Sequence, residues 1–181
     1  MVRIDRVVTK TGDGGTTSLG DGTRLSKADD RIEVLGAVDE ANACIGVLRL
    51  HTAGNVDAIL ARVQNDLFDV GADLCMQAGK GRLRVSDASV ERLEAEIAGV
   101  NAALPPLTSF VLPGGSPAGA HAHLARTVAR RAERAVVRAG FEGTAVQRYL
   151  NRLSDLLFVL SRRLNADGRE ILWQPGANQG S

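Results

Sequence analysis

A glycine- and threonine-rich segment near the start of the sequence is suited to binding an anion such as a polyphosphate. Residues 9–18 read TKTGDGGTTS. Glycines allow successive backbone N–H groups to point into one concavity, while threonine hydroxyls and the Lys10 ammonium add further donors. The segment is not a Walker A loop, which has Gly-Lys-Ser/Thr at the start of a helix, or a Rossmann loop, which follows a strand. Two interpretations of residues 1–28 stay open: an anion-binding loop or a disordered terminus.

A row of arginines lies on the fourth predicted helix. Arg126, Arg130 and Arg134 are four residues apart and share one side of that helix, with Arg131 and Glu133 beside them. Like charges at this spacing destabilise an isolated helix, and arginine binds phosphates and carboxylates in bidentate fashion. The row therefore indicates either an anion-binding surface or a solvated basic face.

Two further polar residues interrupt apolar patterns. Asp39 follows Val38 at the edge of the first apolar stripe, where a carboxylate either needs a partner, such as an arginine of that row, or faces water. Asn151 can donate and accept hydrogen bonds beside a phosphate or a hydrated metal ion, or it is an ordinary polar flank of the fifth helix. The residues alone leave both choices open.

The histidines argue against a transition-metal site. His121 and His123 are two residues apart on a helix, so their side chains point in different directions, and His51 is remote in sequence. No Ser-His-Asp or Cys-His set is indicated. We expect no metal site built from protein side chains.

Apolar stripes with helical spacing form the elements that must position these residues. The stripes and their flanking signals predict helices over 34–48, 56–74, 90–104, 117–139 and 144–166. We expect Gly54-Asn55 to end the first helix, and Gly79 and Gly81 to break the second. No alternation typical of strands competes with these stripes, so the predicted fold class is all-α, a five-helix bundle.

Composition limits the class of protein. The 181 residues suit one domain, and a formal net charge of +1 argues against a general nucleic-acid binder. No apolar run approaches the roughly 18 residues of a membrane span, and the first ten residues do not resemble a signal peptide. Cys44 and Cys75 are expected to be buried free thiols. These observations predict a cytoplasmic protein.

Four short segments, taken together and in this order, resemble the PduO-type corrinoid adenosyltransferases. They are TKTGD over 9–13, VDE over 38–40 with Asn42, FVLPGG over 110–115, and the arginine row over 125–134 followed by NRLSD over 151–155. The likeness covers most of the chain. On this basis we expect one domain over 1–181, with an ATP-binding loop over 1–28, a helical bundle over 29–166 and a C-terminal tail over 167–181. The polar, glycine-rich composition of residues 173–181 predicts that this last part of the tail is loose.

The resemblance implies a ferritin-like bundle assembled as a homotrimer, with active sites between subunits. Such an enzyme transfers the 5′-deoxyadenosyl group of ATP to the cobalt of cob(I)alamin, giving adenosylcobalamin and triphosphate. Asp39 and Arg126 would pair across the interface beside the corrinoid, Phe110 would press on the lower face of the corrin ring, and Arg130 would be catalytic with them. The residues that would bind ATP are Thr9, Lys10, Thr11, Gly12, Asp13, Gly15, Thr16, Lys27, Arg130, Arg131, Glu133, Arg134 and Asn151.

The resemblance also implies cofactors and partners. Mg²⁺ would be held mainly by ATP, with Asn151 nearby, rather than by a protein cage. A reductase would convert cob(II)alamin to cob(I)alamin, and an adenosylcobalamin-dependent enzyme would accept the product; neither nucleic acid nor membrane is an expected partner. Many relatives carry lysine at the position of Gly14, so this loop lacks one cation.

Two rival functions would use the same residues. A regulatory module could sense ATP without turning it over, and a scaffold could bind RNA with the arginine helix. The near-neutral charge and the 3% aromatic content argue against RNA binding, because base stacking needs aromatic side chains.

Overall fold

The structure is a computed structural model that describes residues 8–76 and 84–177. Within these ranges the chain forms five helices in the predicted order. They are α1 (Asp30–Arg49), α2 (Gly54–Leu74), α3 (Asp87–Asn101), α4 (Pro117–Arg138) and α5 (Ala145–Arg163). The prediction of an all-α five-helix fold is confirmed. Gly79 and Gly81, predicted to break the second helix, lie outside the described residues.

Side-chain caps fix where three of the helices begin. Asp29 accepts a hydrogen bond from the backbone N–H of Arg31 at 2.9 Å before α1. Ser116 accepts one from the N–H of Gly119 at 2.9 Å before α4. Thr144 accepts one from the N–H of Gln147 at 3.3 Å before α5. Each cap satisfies an N–H group that has no partner within the helix.

Some predicted helix ends were wrong. α1 ends at Arg49, and Gly54, with a φ of +60°, begins α2 instead of ending α1. Turn hydrogen bonds after Arg49, from Leu50 to Val47 and from His51 to Leu48, close the first helix earlier than the glycine signal indicated. α3 and α5 also stop before the predicted ends at residues 104 and 166. The predicted helices were too long because apolar residues that pack on the core continue past each regular helix.

A short antiparallel hairpin precedes the bundle. β1 (Thr16–Ser18) pairs with β2 (Arg24–Ser26), with Ser18 opposite Arg24. The expectation that residues 1–28 contain only loop was therefore wrong, because strands of three residues are too short to show alternation. The turn rests on the bundle: Leu19 is buried, and a Cβ at Gly20 would lie 3.8 Å from the Cβ of Cys75 at the end of α2.

The helices pack in a fixed order around one apolar core. α4 packs against α1 and α5, α3 packs against α5, and α2 packs against α1. The core is mostly leucine, valine and alanine, with Tyr149 buried among them and donating a hydrogen bond to Asp66 at 2.7 Å. In the part of the chain described, no helix is long and apolar enough to cross a membrane.

α1 and α4 run antiparallel, which decides what lies at each end of the bundle. Arg138 at the end of α4 pairs with Asp30 at the start of α1 (Nε–Oδ1 2.7 Å), and Arg131 pairs with Glu40 further along. The hairpin, which precedes α1, therefore lies at the C-terminal end of α4. The segment before α4, which contains Phe110, lies at the opposite end.

Candidate functional site

The glycine–threonine loop is shaped by successive main-chain turns. The N–H of Asp13 donates to the carbonyl of Lys10 at 3.3 Å, and the N–H of Gly15 donates to the carbonyl of Gly12 at 3.2 Å. Lys10 adopts a φ of +59°, in the left-handed region that non-glycine residues seldom occupy. Such conformations cluster at ligand-binding segments. The loop is therefore folded back on itself.

Lys27 joins this loop although it is distant in sequence. Its backbone N–H donates to the carbonyl of Gly15 at 2.9 Å, next to the pairing of β1 with β2. A Cβ at Gly12 would lie 3.0 Å from the Lys27 Nζ, so the ammonium lies directly against the glycine. The hairpin brings together a lysine and a glycine that the sequence assigned to one binding site.

Arg24 is a loop residue that sequence reasoning missed. Its guanidinium donates to the carbonyl of Thr11 at 3.0 Å, to the hydroxyl of Thr16, and to the Ser18 Oγ at 3.3 Å. These contacts tie the first turn of the loop to β1. A hairpin prediction would have placed Arg24 opposite Ser18, but the short strands gave no signal for it.

The arginine row divides into free and paired members. Arg130 and Arg134 are exposed, and Arg134 donates only to the carbonyl of Arg130, at 3.1 Å. Arg131 is paired with Glu40 of α1. Within the described residues the Arg130 guanidinium has no hydrogen bond or ion pair. The α4 surface thus carries cationic charge that the described part of the chain does not neutralise.

Arg126 and Asp39 are both without partners in the described part of a single chain. Arg126 is half-buried, and its Nε is shielded from solvent with no hydrogen-bond acceptor. Burial, together with the charge of Arg130, lowers the pKa of Arg126. Asp39 is exposed on α1. The expected contact between Asp39 and Arg126 is not made within the chain, so it stays a prediction about two subunits.

Glu133 and Asn151 do meet. The carboxylate of Glu133 accepts hydrogen bonds from the Asn151 Nδ2 at 3.0 Å and from the Gln147 Nε2 at 3.2 Å. The Oδ1 of Asn151 accepts from Arg152, whose Nε donates to Glu94 at 2.7 Å. The hydrogen bond with Glu94 raises the pKa of Arg152. Helix α5 therefore presents Asn151 beside α4 in a fixed orientation.

Phe110 lies before α4 and is 77% exposed. Its ring centroid is 6.1 Å from that of Trp173, at an interplanar angle of 53°. The backbones pair as well: the N–H of Trp173 donates to the carbonyl of Phe110 at 2.7 Å, and the N–H of Leu112 donates to the carbonyl of Ile171 at 2.8 Å. Residues 173–181 were expected to be loose, and this expectation is wrong for Trp173, because main-chain pairing orders it.

The paired segments expose an apolar surface that we call the Phe110 ledge, made of Phe110, Leu112, Ile171 and Trp173. Each of the four side chains is at least 42% exposed. An open groove of about 720 Å³ runs along Leu112 and residues 171–177. Exposed apolar surface of this kind marks a site for a ligand or partner. The polar, glycine-rich composition of residues 173–181 gave no indication that Trp173 belongs to an exposed apolar surface.

The histidines are arranged differently from the expectation. His51 and His121 stack with ring centroids 4.8 Å apart, because the antiparallel packing brings the end of α1 to the start of α4. His123 is buried, and neither ring nitrogen has a hydrogen-bond partner. Burial lowers the pKa of His123. Among the residues described, no three or more His, Cys, Asp or Glu side chains cluster as metal ligands.

Comparisons with known proteins agree with this architecture. The family profile of cobalamin adenosyltransferase matches residues 7–164. A corrinoid adenosyltransferase of Mycobacterium tuberculosis is 49% identical over an alignment of 189 positions, which covers 98% of this chain and 97% of the relative. A cobalamin adenosyltransferase of Cupriavidus metallidurans is 47% identical over 179 residues, covering 95% of this chain and 96% of the relative.

Solved structures extend the similarity to three dimensions. A variant of the PduO-type ATP:corrinoid adenosyltransferase from Lactobacillus reuteri, complexed with cobalamin and ATP, has a TM-score of 0.87 and 30% identity, covering 94% of this chain and 97% of that one. Another variant complexed with ATP has a TM-score of 0.85 and 31% identity, covering 93% of this chain and 100% of that one.

Fold and similarity together define a transferase of the corrinoid adenosyltransferase class. The chain belongs to the cobalamin adenosyltransferase family. The predictions of family, fold and activity class are confirmed; the role of each site residue stays a prediction.

Proposed function

We propose that this chain adenosylates the cobalt of a reduced corrinoid with ATP at a site formed between two subunits. The observation that carries this proposal is the separation of the two halves of the site along α4. With 22 residues, α4 is roughly 33 Å long, and the loop and the Phe110 ledge lie at its opposite ends. Two substrates that must meet at one carbon atom cannot be bound that far apart, so residues of a second copy must complete the site.

The surface around Asp39 is suited to receive that second copy. An open groove between α1 and α2 is lined by apolar residues, with Asp39 at its edge. Phe68 of this groove is 74% exposed. A carboxylate without a partner beside exposed apolar surface complements the Arg126 guanidinium, which also lacks one. A homotrimer, the symmetric assembly that the sequence resemblance implies, would join these two faces three times.

The nucleotide would be bound by the loop and the free arginines. In our assignment, the loop residues over 9–16 and Lys27 surround the phosphates with N–H groups, hydroxyls and two ammonium groups. Arg130 and Arg134 supply cations from α4, and Asn151, oriented by Glu133, adds an amide. Arg131 would have to exchange Glu40 for a phosphate, because the two are paired in the free chain.

Mg²⁺ would accompany ATP. The chemistry of the donors fits an ion held mainly by phosphate oxygens and water, because Asn151 is a neutral amide and Glu133 already accepts two hydrogen bonds. When bound, Mg²⁺ supplies positive charge to the triphosphate. The residues of this chain would orient the nucleotide around it.

The reaction needs alignment more than a protein nucleophile. The Co(I) electron pair attacks C5′ of ATP, the C5′–O bond breaks, and triphosphate leaves with that bonding pair. Correct alignment of two reactants contributes roughly 7–11 kcal/mol at best, and a well-placed donor on a developing anion contributes about 3–4 kcal/mol. Lys10, Lys27 and the arginines of α4 would stabilise the triphosphate as it leaves.

Phe110 would prepare the cobalt for reduction. With its ring on the lower face of the corrin, it would exclude the lower axial ligand and leave cob(II)alamin four-coordinate. A four-coordinate Co(II) centre is easier to reduce, because the added electron enters a lower-lying orbital. The exposure of Phe110 and its aromatic neighbour support this role.

Partners and location follow from the same chemistry. A reductase must supply the electron that makes Co(I), and an adenosylcobalamin-dependent enzyme must take the product.

Both cysteines are free, and burial raises the pKa of Cys44, which keeps its thiol protonated. A cytoplasmic location fits two unpaired cysteines.

The decisive test is product formation. Purified protein is mixed with ATP, Mg²⁺ and chemically reduced cob(I)alamin, and the reaction is followed by the visible spectrum and by phosphate analysis. We expect adenosylcobalamin and triphosphate in equal amounts. ATP binding without either product would support the sensing module instead and contradict the proposal.

A further inference from the structure

The position of Phe110 is not fixed by packing of its own ring. The side chain is largely exposed, and its aromatic neighbour Trp173 is itself 45% exposed. An exposed ring can rotate away from a bound ligand unless its backbone is held. The backbone of residues 110–112 must therefore supply the order that the ring lacks.

That backbone is paired with the C-terminal segment, but the pairing is short. Val111 and Leu172 form an isolated bridge, and the Ser109 hydroxyl donates to the carbonyl of Trp173 at 2.7 Å. A single bridge at the surface is marginal by itself. Both segments need an anchor in the bundle.

Asn165 anchors both. It lies just beyond the end of α5 and is only 1% exposed. Its Oδ1 accepts a hydrogen bond from the N–H of Ser116 at 2.8 Å, and its Nδ2 donates to the carbonyl of Gly114 at 2.9 Å. Its own backbone carbonyl accepts from the N–H of Arg169 at 3.1 Å. One buried residue thus holds the turn that follows Phe110 and the start of the tail that pairs with it.

The glycines around Asn165 are required by this arrangement. A Cβ at Gly119 would lie 2.3 Å from the Asn165 Oδ1, and a Cβ at Gly115 would lie 2.5 Å from the same atom. Gly115 also has a φ of +95°, which disfavours any other residue. The amide therefore fits into a space that exists only because two residues have no side chain.

We propose that Asn165 is a positioning residue for Phe110: its buried amide sets where the ring meets the lower face of the corrin. This inference rests on the proposed role of Phe110. Loss of the Asn165 hydrogen bonds would let the Phe110 ledge move, and the lower ligand could then return to Co(II). The effect should be confined to reactions that start from cob(II)alamin.

Gly119→Ala tests the proposal with a matched control. The added methyl group must displace the Asn165 amide, whereas Gly99→Ala, on the exposed surface of α3, meets nothing within 4 Å. Asn165→Ser is the second variant, and Phe110→Ala is the benchmark. Each folded variant is mixed with ATP and cob(II)alamin. The four-coordinate fraction is measured by electron paramagnetic resonance and near-infrared absorption.

We expect Gly119→Ala and Asn165→Ser to lose most of the four-coordinate signal and to adenosylate at least about tenfold more slowly from cob(II)alamin, because a small misplacement of a contact has a large kinetic cost. The rate from chemically reduced cob(I)alamin should change by no more than about twofold. Gly99→Ala should match the parent protein, and ATP affinity should be unchanged in all variants.

Three outcomes would overturn the proposal. A normal four-coordinate signal in folded Gly119→Ala and folded Asn165→Ser, with Phe110→Ala defective, would reject the role of Asn165 alone. A normal signal in Phe110→Ala would reject the proposed role of Phe110 and the inference with it. Failure of both Gly119→Ala and Asn165→Ser to fold would show that Asn165 stabilises the fold and does not position Phe110.

Discussion

The two ends of α4 are held differently. At the hairpin end, the loop over 9–15 is mostly exposed and is held by main-chain turns and by Arg24. At the other end, Asn165 and Arg162 hold the Phe110 segment, and both are more than nine-tenths buried. Arg162 donates to Glu170 at 2.9 Å and to the carbonyl of Pro105 at 2.8 Å. The loop that we assign to ATP is therefore held by exposed contacts, and the ledge that we assign to the corrinoid is held by buried ones.

This difference predicts where substitutions act. In our assignment the loop binds the nucleotide, so changes in the loop should appear in ATP binding. A preorganised segment contributes in the transition state, so changes near Phe110 should appear in the rate from cob(II)alamin and in stability. The arginine row between them should affect catalysis itself.

The largest effect is expected from Arg130→Ala. Removing a cation from the departing triphosphate should reduce turnover by about 10²–10³-fold while the protein stays folded. Adenosylcobalamin formation and size-exclusion chromatography measure the two properties. Arg163→Ala is the control, because Arg163 is an exposed arginine of α5 whose guanidinium has no hydrogen bond or ion pair in the described structure. Normal turnover in Arg130→Ala would remove it from the catalytic set.

Phe110→Ala should have the next largest effect, and mainly when the reaction starts from cob(II)alamin. Without the ring, the lower ligand can return to cob(II)alamin, so the rate from this substrate should fall by at least about tenfold more than the rate from cob(I)alamin. Parallel assays with the two oxidation states measure the ratio. An equal loss of rate with cob(II)alamin and with cob(I)alamin would mean that Phe110 binds the corrinoid without changing the coordination of its cobalt.

Arg24→Ala should weaken ATP binding without a general loss of stability. The variant loses three side-chain hydrogen bonds that shape the loop, each worth about 0.5–1.5 kcal/mol, so the Kd for ATP should rise by at least roughly tenfold. Arg24→Lys should recover part of this loss, since lysine keeps the charge but not the fork of donors. Calorimetric titration with ATP checks both. An unchanged Kd in Arg24→Ala would show that its contacts are incidental.

The smallest effect is expected from Gly14→Lys, which restores the cation that many relatives carry. A side chain at Gly14 would meet nothing within 4 Å, so lysine should fit. An exposed charge pair contributes about 0.2–1 kcal/mol, which corresponds to a gain of up to about fivefold in ATP affinity at low salt. High salt should remove the gain. Gly14→Ala controls for the loss of glycine flexibility, and an equal gain in that variant would rule out a charge effect.

Helices could be predicted from the sequence because their signal is repeated. The stripe from Val146 to Leu164 recurs over five turns, and the caps at Ser116 and Thr144 are side chains with a defined geometry. The hairpin could not be predicted, because strands of three residues are too short to show an alternation of apolar and polar residues. The role of Arg24 depends on that hairpin and was missed with it.

Contacts between elements that are distant in sequence could not be predicted from local sequence patterns. Trp173 pairs with Phe110 through the backbone, and Asn165 acts through hydrogen bonds to residues some fifty positions earlier; neither leaves a period or a motif. The stacking of His51 on His121 follows only from the antiparallel packing of α1 and α4. The family resemblance supplied residue roles for the site, but a single chain leaves the contact between Asp39 and Arg126 unmade.

Subunit mixing tests the central claim, a site shared between two copies, most directly. Asp39→Ala and Arg126→Ala are each expected to be poorly active alone. When the two variants are unfolded, mixed in equal amounts and refolded together, about a quarter of the interfaces in a trimer should pair an intact Asp39 with an intact Arg126. We predict that adenosylcobalamin formation then rises toward a quarter of the parent rate. Activity that stays at the average of the two separate variants would contradict a shared site.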